Sequence, residues 1–375
     1  MMASEPRRDD DERWMTLALA LAARALGMTA PNPAVGCVIV KDGRVVGRGA
    51  TARGGRPHAE TSALAQAGEA ARGGTAYVTL EPCAHHGKTP PCTDALIGAG
   101  ITRVIVAVED PDPRVAGRGI AQLEAAGVTV ALGCCGPRAR HLNAGFFLKV
   151  ESGRPLVTLK IATSLDGRIA THAGASRWIT SSAARAQVHL MRAGHDAIMV
   201  GSNTVLHDDP DLTCRLPGLE DRSPVRVIAD GRLRVPLTAR IVRDAAKAAT
   251  WIVTRTDADD ARRRTLEACG AQLIAVAPGE EGSVDMGVAL RALGERGITR
   301  LLVEGGAQVA AALLRAGLVD RLAWFRGNVL IGGDGTPALS ALGIDRLEQA
   351  VRWSHAAHAQ FGDDVLDIYD AGPYN

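Results

Sequence analysis

The chain is predicted to be an α/β protein built from two successive domains. Three observations carry this. Its 375 residues exceed the roughly 100–200 residues of one ordinary domain. Short apolar runs of strand length alternate with stretches of helical periodicity along its whole length. The alternation pauses in a Gly- and Pro-containing stretch, Gly133 to Pro155, and restarts at Leu156.

The elements follow in order. Trp14 to Gly27 has apolar residues at helical spacing and is closed by Gly27. Ala34 to Val40 is a strand, Lys41-Asp42-Gly43-Arg44 a hairpin turn, and Val45 to Gly49 the returning strand. Glu60 to Ala71 is helical and ends at Gly73-Gly74. Thr75 to Leu80, Val104 to Val108 and Val128 to Leu132 are strand-like, with helices starting at Cys92 and Ile120 between them. This makes a mixed sheet flanked by helices. In the second half, strands are expected near 156–162, 196–201, 225–230, 249–254, 271–276 and 299–304. Helices near 181–193, 260–268, 286–296 and 306–316 lie between them, and apolar stretches near 319–325 and 365–369 predict late antiparallel strands. The expected division is a disordered tail over 1–11, a first domain over 12–145, a linker over 146–155 and a second domain over 156–375.

Composition excludes several functions. Basic and acidic residues nearly balance, at 43 against 41, so there is no field to hold nucleic acid or an anionic membrane. Aromatic residues at 3% are too few for a base-stacking platform. Small phosphorylated substrates stay open, because they need only a few placed cations. Ser4 to Arg13 mixes acids and bases, unlike a secretory signal. The apolar run Leu17 to Leu26 is broken by Arg24 and is short of the ~20 residues of a membrane span. Seven cysteines make no even disulfide framework, so a reducing, cytoplasmic setting is expected.

The first chemical constellation is His58-Ala59-Glu60, then Glu81-Pro82-Cys83, then Cys92. One lone His or Cys is more often structural. One imidazole and two thiolates instead give three ligands and leave a fourth zinc position for water, which is the catalytic arrangement. A structural zinc site would need a fourth ligand, which His85 or His86 could supply. Positions two apart on a helix point roughly 200° apart. His58 and Glu60 can therefore share a site only where the chain enters the helix, and Pro57 fits such a start. Cys92 also opens a helix, whose dipole favours a thiolate. Glu60 is the candidate proton shuttle. The set resembles the zinc deaminase signature, except that eight residues, Ala84 to Pro91, separate the two cysteines.

The second constellation lies in the other half. It comprises Lys160 to Arg168, Ser176-Arg177-Trp178, Gly201 to Thr213, and Glu304-Gly305-Gly306 opening a helix. Gly-Gly between strand and helix fits either a phosphate cradle or a tight turn. The G-x-G-x-x-G dinucleotide fingerprint is absent, which disfavours a Rossmann domain. Arg192 and Arg215 fit phosphate clamps, with ordinary ion pairing as the other reading.

Both halves resemble the bifunctional riboflavin-biosynthesis deaminase/reductase family. The first does so through Pro31-Asn32-Pro33-Ala34-Val35-Gly36-Cys37, the loop from Glu81 to Cys92, and Asp110 to Gly119. The resemblance implies a cytidine-deaminase-like α/β/α domain followed by a dihydrofolate-reductase-like α/β domain. It implies Zn2+ and NADPH as cofactors and phosphorylated pyrimidines as substrates, and a homo-oligomer is expected. It places Asn32, His85 and Lys88 on the deaminase substrate. It places Ala162, Trp178, Thr204, Asp208, Gly306, Ala307 and Gln308 on the reductase cofactor. Ser176, Arg192, Leu212, Arg215 and Glu304 fall on the reductase substrate, with Lys160 and Asp208 near the reacting sugar. Three positions depart from the family pattern: Thr51 where a His is common, Ala84 where a Ser is common, and Gly231 where a hydroxyl side chain can occur. Arg53 or Arg56 is expected to compensate for Thr51, and Arg232 and Arg255 are candidates for the 2′-phosphate of NADPH. Two other readings remain: a nucleoside- or tRNA-editing zinc deaminase with a ligand-binding second half, and a catalytically silent binding protein.

Overall fold

The computed structural model describes residues 8–85, 90–113, 115–279 and 282–372. They form two compact units that divide between Ser152 and Gly153.

The first unit runs α1 (Arg8–Ala25), β1 (Gly36–Lys41), β2 (Arg44–Ala50), α2 (Ala59–Ala67), β3 (Thr75–Val78), α3 (Cys92–Gly98), β4 (Arg103–Val106), α4 (Arg118–Ala125), β5 (Thr129–Leu132), α5 (Gly136–Leu142) and α6 (Ala144–Ser152). The sheet order is β2-β1-β3-β4-β5. β1 is antiparallel to β2 and β3, whereas β3, β4 and β5 are parallel. Alternate strand residues feed two cores. Cys37, Ile39, Val78, Val104 and Val106 pack with Ala59, Ala63 and Leu96 from α2 and α3. Val38, Val40, Tyr77 and Ile105 pack on Met15, Ala18 and Leu19 of α1. Both faces are therefore apolar, and helices cover each. Gly36 lets α1 press close against the sheet: a Cβ there would stand 1.9 Å from the Ala18 carbonyl oxygen.

Two expected boundaries move. Residues 8–11 are helical in α1, not a tail. Asp11 accepts two hydrogen bonds from Arg103, at 2.9 and 2.8 Å, and one from the Tyr77 hydroxyl at 2.8 Å. The expected linker over 146–155 is largely α6, whose Phe147 is buried in the first core. Only Gly153 to Pro155 separate α6 from the next strand.

The second unit runs β6 (Leu156–Thr163), β7 (Arg168–Ala170), α7 (Ser182–Ala193), β8 (Ala197–Gly201), α8 (Ser202–Asp208), β9 (Val225–Ala229), α9 (Arg240–Arg243), β10 (Thr250–Arg255), α10 (Asp260–Ala268), β11 (Gln272–Val276), α11 (Met286–Glu295), β12 (Arg300–Glu304), α12 (Ala307–Arg315), β13 (Arg321–Arg326), β14 (Thr336–Pro337), β15 (Ser354–Phe361) and β16 (Asp364–Asp370). Nine strands form one sheet in the order β11-β10-β9-β8-β12-β6-β13-β16-β15, and β14 pairs with β7 separately. Pairing is parallel from β11 to β13 and antiparallel across β13, β16 and β15. β12 inserts between β6 and β8, so the carboxyl ends of three parallel strands lie side by side. Ligands of open α/β sheets bind beyond such ends, where strand order switches.

Candidate functional site

The metal-ligand set is assembled as its spacing requires. His58 is the N-cap of α2, with extended backbone, and Glu60 lies in the first turn. Pro57 thus precedes the cap instead of occupying the first helical position. Cys92 opens α3, and its N–H points at Cys83 Sγ from 3.4 Å. His58 Nδ1 lies 3.2 Å from Cys92 Sγ and 3.6 Å from Cys83 Sγ. Tetrahedral zinc bonded to N and S would hold such atoms about 3.5 Å apart, so the donors fit this ion. The three ligand atoms all lie within 4.8 Å of one another.

The electrostatics divide the two thiols, because the hydrogen bond with Cys83 pushes the Cys92 thiol well above its ordinary value. Hydrogen bonds from Cys92 and His58 outweigh burial and hold the Cys83 thiol down at about 4. Glu60 is 3% exposed, and burial pushes its carboxyl up to about 7. A carboxyl so placed exchanges protons near neutrality.

Glu81 ties this loop to the rest of the unit. Its buried carboxylate accepts backbone N–H groups from Asp110 (3.3 Å), Gly117 (3.0 Å), Gly119 (2.8 Å) and Ile120 (3.3 Å). A Cβ at Gly119 would lie 2.0 Å from the Pro82 carbonyl oxygen, so the two segments pack backbone to backbone. Replacing Glu81 by Ala strands four donors beside Cys83. The expected result is zinc loss to a chelator at about 10–100-fold lower chelator concentration, the scale for removing a group that supports a ligand. Zinc retention unchanged in a folded Glu81→Ala protein would refute this.

Of the deaminase substrate positions, Asn32 is half-buried and His85 exposed, while Lys88 lies outside the described residues, as does His86, the other possible fourth ligand of a structural zinc site. Gly55, in the turn before His58, closes over Asn32: a Cβ there would meet Asn32 Nδ2 at 1.8 Å. Thr51 differs from expectation. Its side chain is buried, and Oγ1 accepts the Val35 N–H at 2.9 Å. The hydroxyl serves the fold, so Thr51 does not stand in for the His that is common at this position.

In the second unit, Lys160 on β6 stands in register with Glu304 on β12. Arg192 from α7 grips Glu304 through Nε (2.8 Å) and Nη2 (3.0 Å), and its Nη1 donates to the Thr213 carbonyl at 2.9 Å. Burial alone would raise Glu304, but the guanidinium prevails and holds the carboxyl at about 2. Burial lowers Lys160 below its ordinary value. Arg192 is therefore no surface ion pair, because three of its five N–H groups donate within the protein. Arg215 is half-exposed and only loosely paired, 3.5 Å from Asp211. Leu212 is buried with φ of 61°.

The cofactor positions gather at the ends of β6, β8 and β12. Gly305 and Gly306 both have positive φ, and a Cβ on either would lie 3.3 Å from Thr204. Gly306 caps α12, followed by Ala307 and an exposed Gln308 whose Oε1 accepts from Asn203 at 3.0 Å. Ala162 is half-buried near the end of β6, and Asp208 ends α8 exposed. Ser176 and Trp178 lie in an exposed loop, and Trp178 stacks on Arg185 at 4.1 Å. The Gly305-Gly306 turn thus packs its backbone closely against Thr204.

Sequence reasoning missed Arg234, which has no motif around it. Its Nη2 donates to Ser202 Oγ and Asn203 Oδ1, both at 2.7 Å, and braces the start of α8. Of the two 2′-phosphate candidates, Arg255 already donates to Asp257 through Nε at 2.7 Å and through Nη2. Arg232 packs against Gly282.

These features define a zinc-dependent deaminase domain joined to a reductase of the dihydrofolate-reductase-like class. Residues 8–108 match the cytidine and deoxycytidylate deaminase zinc-binding region, and residues 155–366 match the RibD C-terminal domain. The chain belongs to the RibD family of bifunctional riboflavin-biosynthesis deaminase/reductases. It is 44% identical over 366 residues to riboflavin biosynthesis protein RibD of Escherichia coli (strain K12), covering 95% of this chain and 98% of that protein. It is 41% identical over 362 residues to the Aquifex aeolicus (strain VF5) RibD, covering 96% and 99%. Among solved structures, Acinetobacter baumannii RibD, form 1, superposes with a TM-score of 0.88 at 39% identity, covering 97% of this chain and 99% of that one. A diaminohydroxyphosphoribosylaminopyrimidine deaminase/5-amino-6-(5-phosphoribosylamino)uracil reductase from Thermotoga maritima gives 0.84 at 34%, covering 97% and 99%. The editing-deaminase and silent-protein readings are not favoured.

Proposed function

We propose that the first unit hydrolyses an amino group of 2,5-diamino-6-(5-phosphoribosylamino)pyrimidin-4-one, and that the second reduces the ribose of the resulting uracil to ribityl. The observation that carries the first step is the convergence of His58, Cys83 and Cys92 beside a buried Glu60. A bound zinc ion supplies Lewis acidity that makes water a nucleophile near neutral pH. Glu60 takes one proton from that water and passes it to the ring nitrogen, then takes the added hydroxyl's proton and delivers it to the departing amine, so ammonia leaves as the C–O bond replaces C–N. Asn32, His85 and Lys88 are the residues proposed to hold this substrate.

In the second unit, NADPH supplies the hydride when bound. Ala162, Trp178, Thr204, Asp208 and the Gly306–Gln308 turn are proposed to hold it. Ser176, Leu212, Arg215 and the Arg192–Glu304 pair frame the substrate. Lys160, whose ammonium is weakened by burial, is proposed to protonate the ribose ring oxygen as the ring opens, and Asp208 is proposed as the second polar group at the sugar. The test is mass spectrometry of products from the GTP-derived pyrimidine. Without NADPH the product should show exchange of NH for O, and with NADPH a further gain of two hydrogens. Unchanged substrate in both arms would overturn the reading.

The substrate phosphate needs a cation in the deaminase too, since Thr51 serves the fold. Arg53 is proposed, on the same exposed loop. A lost charged hydrogen bond is worth about 1.5–3 kcal/mol, so Arg53→Ala should raise the deaminase KM roughly ten- to a hundred-fold with kcat little changed. An unchanged KM would move that role elsewhere. A cytoplasmic setting is proposed, supported by Cys83 and Cys92 converging as metal ligands without forming a disulfide. Among the described residues no helix is long and apolar enough to cross a membrane. A homo-oligomer is also proposed.

A further inference from the structure

The structure assigns a second divalent-cation site to the edge of the nine-stranded sheet, at His355, His358 and Asp367, outside the residues proposed for either reaction. Residues three apart in a regular strand face opposite sides of the sheet. His355 and His358 are three apart on β15, yet they converge. The register against β16 shifts between His355 and Ala357, and the extra residue rotates the strand by one position. Both imidazoles then reach the side on which Asp367 stands opposite His358.

The donors meet at one point. His358 Nδ1 lies 2.8 Å from Asp367 Oδ1, and His355 Nε2 lies 3.4 Å from the same oxygen. The other carboxylate oxygen, Oδ2, accepts from Arg326 Nη2 at 2.5 Å. One oxygen is thus fixed by arginine, and the other is turned toward two imidazoles. Nitrogen and oxygen ligands of a tetrahedral ion at about 2.0–2.1 Å sit about 3.4 Å apart. The longer separation equals this edge, and the shorter opens to it by a small imidazole rotation. Both His side chains are about half exposed, at 51% and 54%, so an ion has access and water can complete its shell. Among the described residues, the only other group with this convergence is His58, Cys83 and Cys92.

Two imidazoles and one carboxylate select borderline cations such as Zn2+, Ni2+ or Cu2+, and discriminate against Ca2+ and Mg2+, which prefer all-oxygen shells. Arg326 keeps the affinity below that of the thiolate centre, because its charge opposes the ion while it orients the ligand. A bound cation would join β15 to β16 at the exposed edge. Edge strands are where sheets need protection from pairing with other chains.

The test uses the untagged full chain carrying its tightly bound zinc. Equilibrium dialysis against Zn2+ should show that the parent takes up one more equivalent than the His355→Ala/His358→Ala double variant. His358→Gln alone should weaken that uptake. Ni2+ should quench tryptophan emission in the parent more than in the double variant, because Trp324 and Trp353 line the cavity that Asp367 borders. The variant should keep both activities, which shows that it is folded. Equal Zn2+ uptake by parent and double variant would overturn the assignment, as would equal Ni2+ quenching.

Discussion

Glu60→Gln should lose deamination by about 10²–10⁴-fold, the usual contribution of a positioned acid–base group. Reduction of supplied deaminated substrate should stay within a few-fold of the parent. The amide keeps the size of the carboxyl and its place in the first turn of α2, so the three ligands are undisturbed. It cannot accept the proton that water must lose. Glu60 lies in the unit that ends at Ser152, and every residue proposed for the reductase lies in the other unit. The measurement is the two half-reactions assayed separately, with zinc content determined on the same sample. Matched loss of both activities in a zinc-replete, folded protein would refute two independent sites.

Arg192→Ala should have the converse outcome, abolishing reduction and sparing deamination. It should also destabilise the second unit. Removing one member of a buried pair costs about 3–5 kcal/mol, because the partner charge is left without compensation. Lys160 remains beside Glu304, so the low end, about 3 kcal/mol, is expected. The sign with pH follows from Glu304. Its carboxyl at about 2 lies below the ordinary 4.5, so the stability that it contributes is present at neutral pH and fades as pH falls through about 2. Parent and variant denaturation midpoints should therefore differ most near neutrality and converge in acid. A constant gap across that range would assign the loss to packing instead of charge.

What the sequence revealed depended on how local each feature is. The Asp42-Gly43 turn was legible because only such residues readily take φ of 50° and 71° in succession. The metal centre was legible because His58 and Cys92 sit at helix starts, preceded by Pro57 and Pro91, and Cys83 follows Glu81-Pro82 in the loop between them. β15 was not, because an edge strand exposed along most of Ser354 to Phe361 carries no alternating apolar pattern. Residues 8–11 and 146–152 look like polar or Gly-flanked connectors until Arg103 and the first core hold them in place. Arg192 could be recognised as important, but not for what it does, since Glu304 lies 112 residues further along the chain. Thr51 shows the same limit, because its partner Val35 is evident only once the strands have folded.

The placement of β12 governs the order in which the two halves can mature. Every strand of the first sheet lies between Gly36 and Leu132, so its pairing is complete within the first part of the chain to be synthesised. In the second sheet, Leu301 must slot between Val157 and Ala197. Until it does, the sheet has a gap at its centre, and Lys160 has no Glu304 beside it. Domains tend to fold as units during synthesis, N-terminal first. A nascent chain should therefore acquire a finished metal centre well before its reductase pocket closes, and an interrupted translation product should deaminate without reducing.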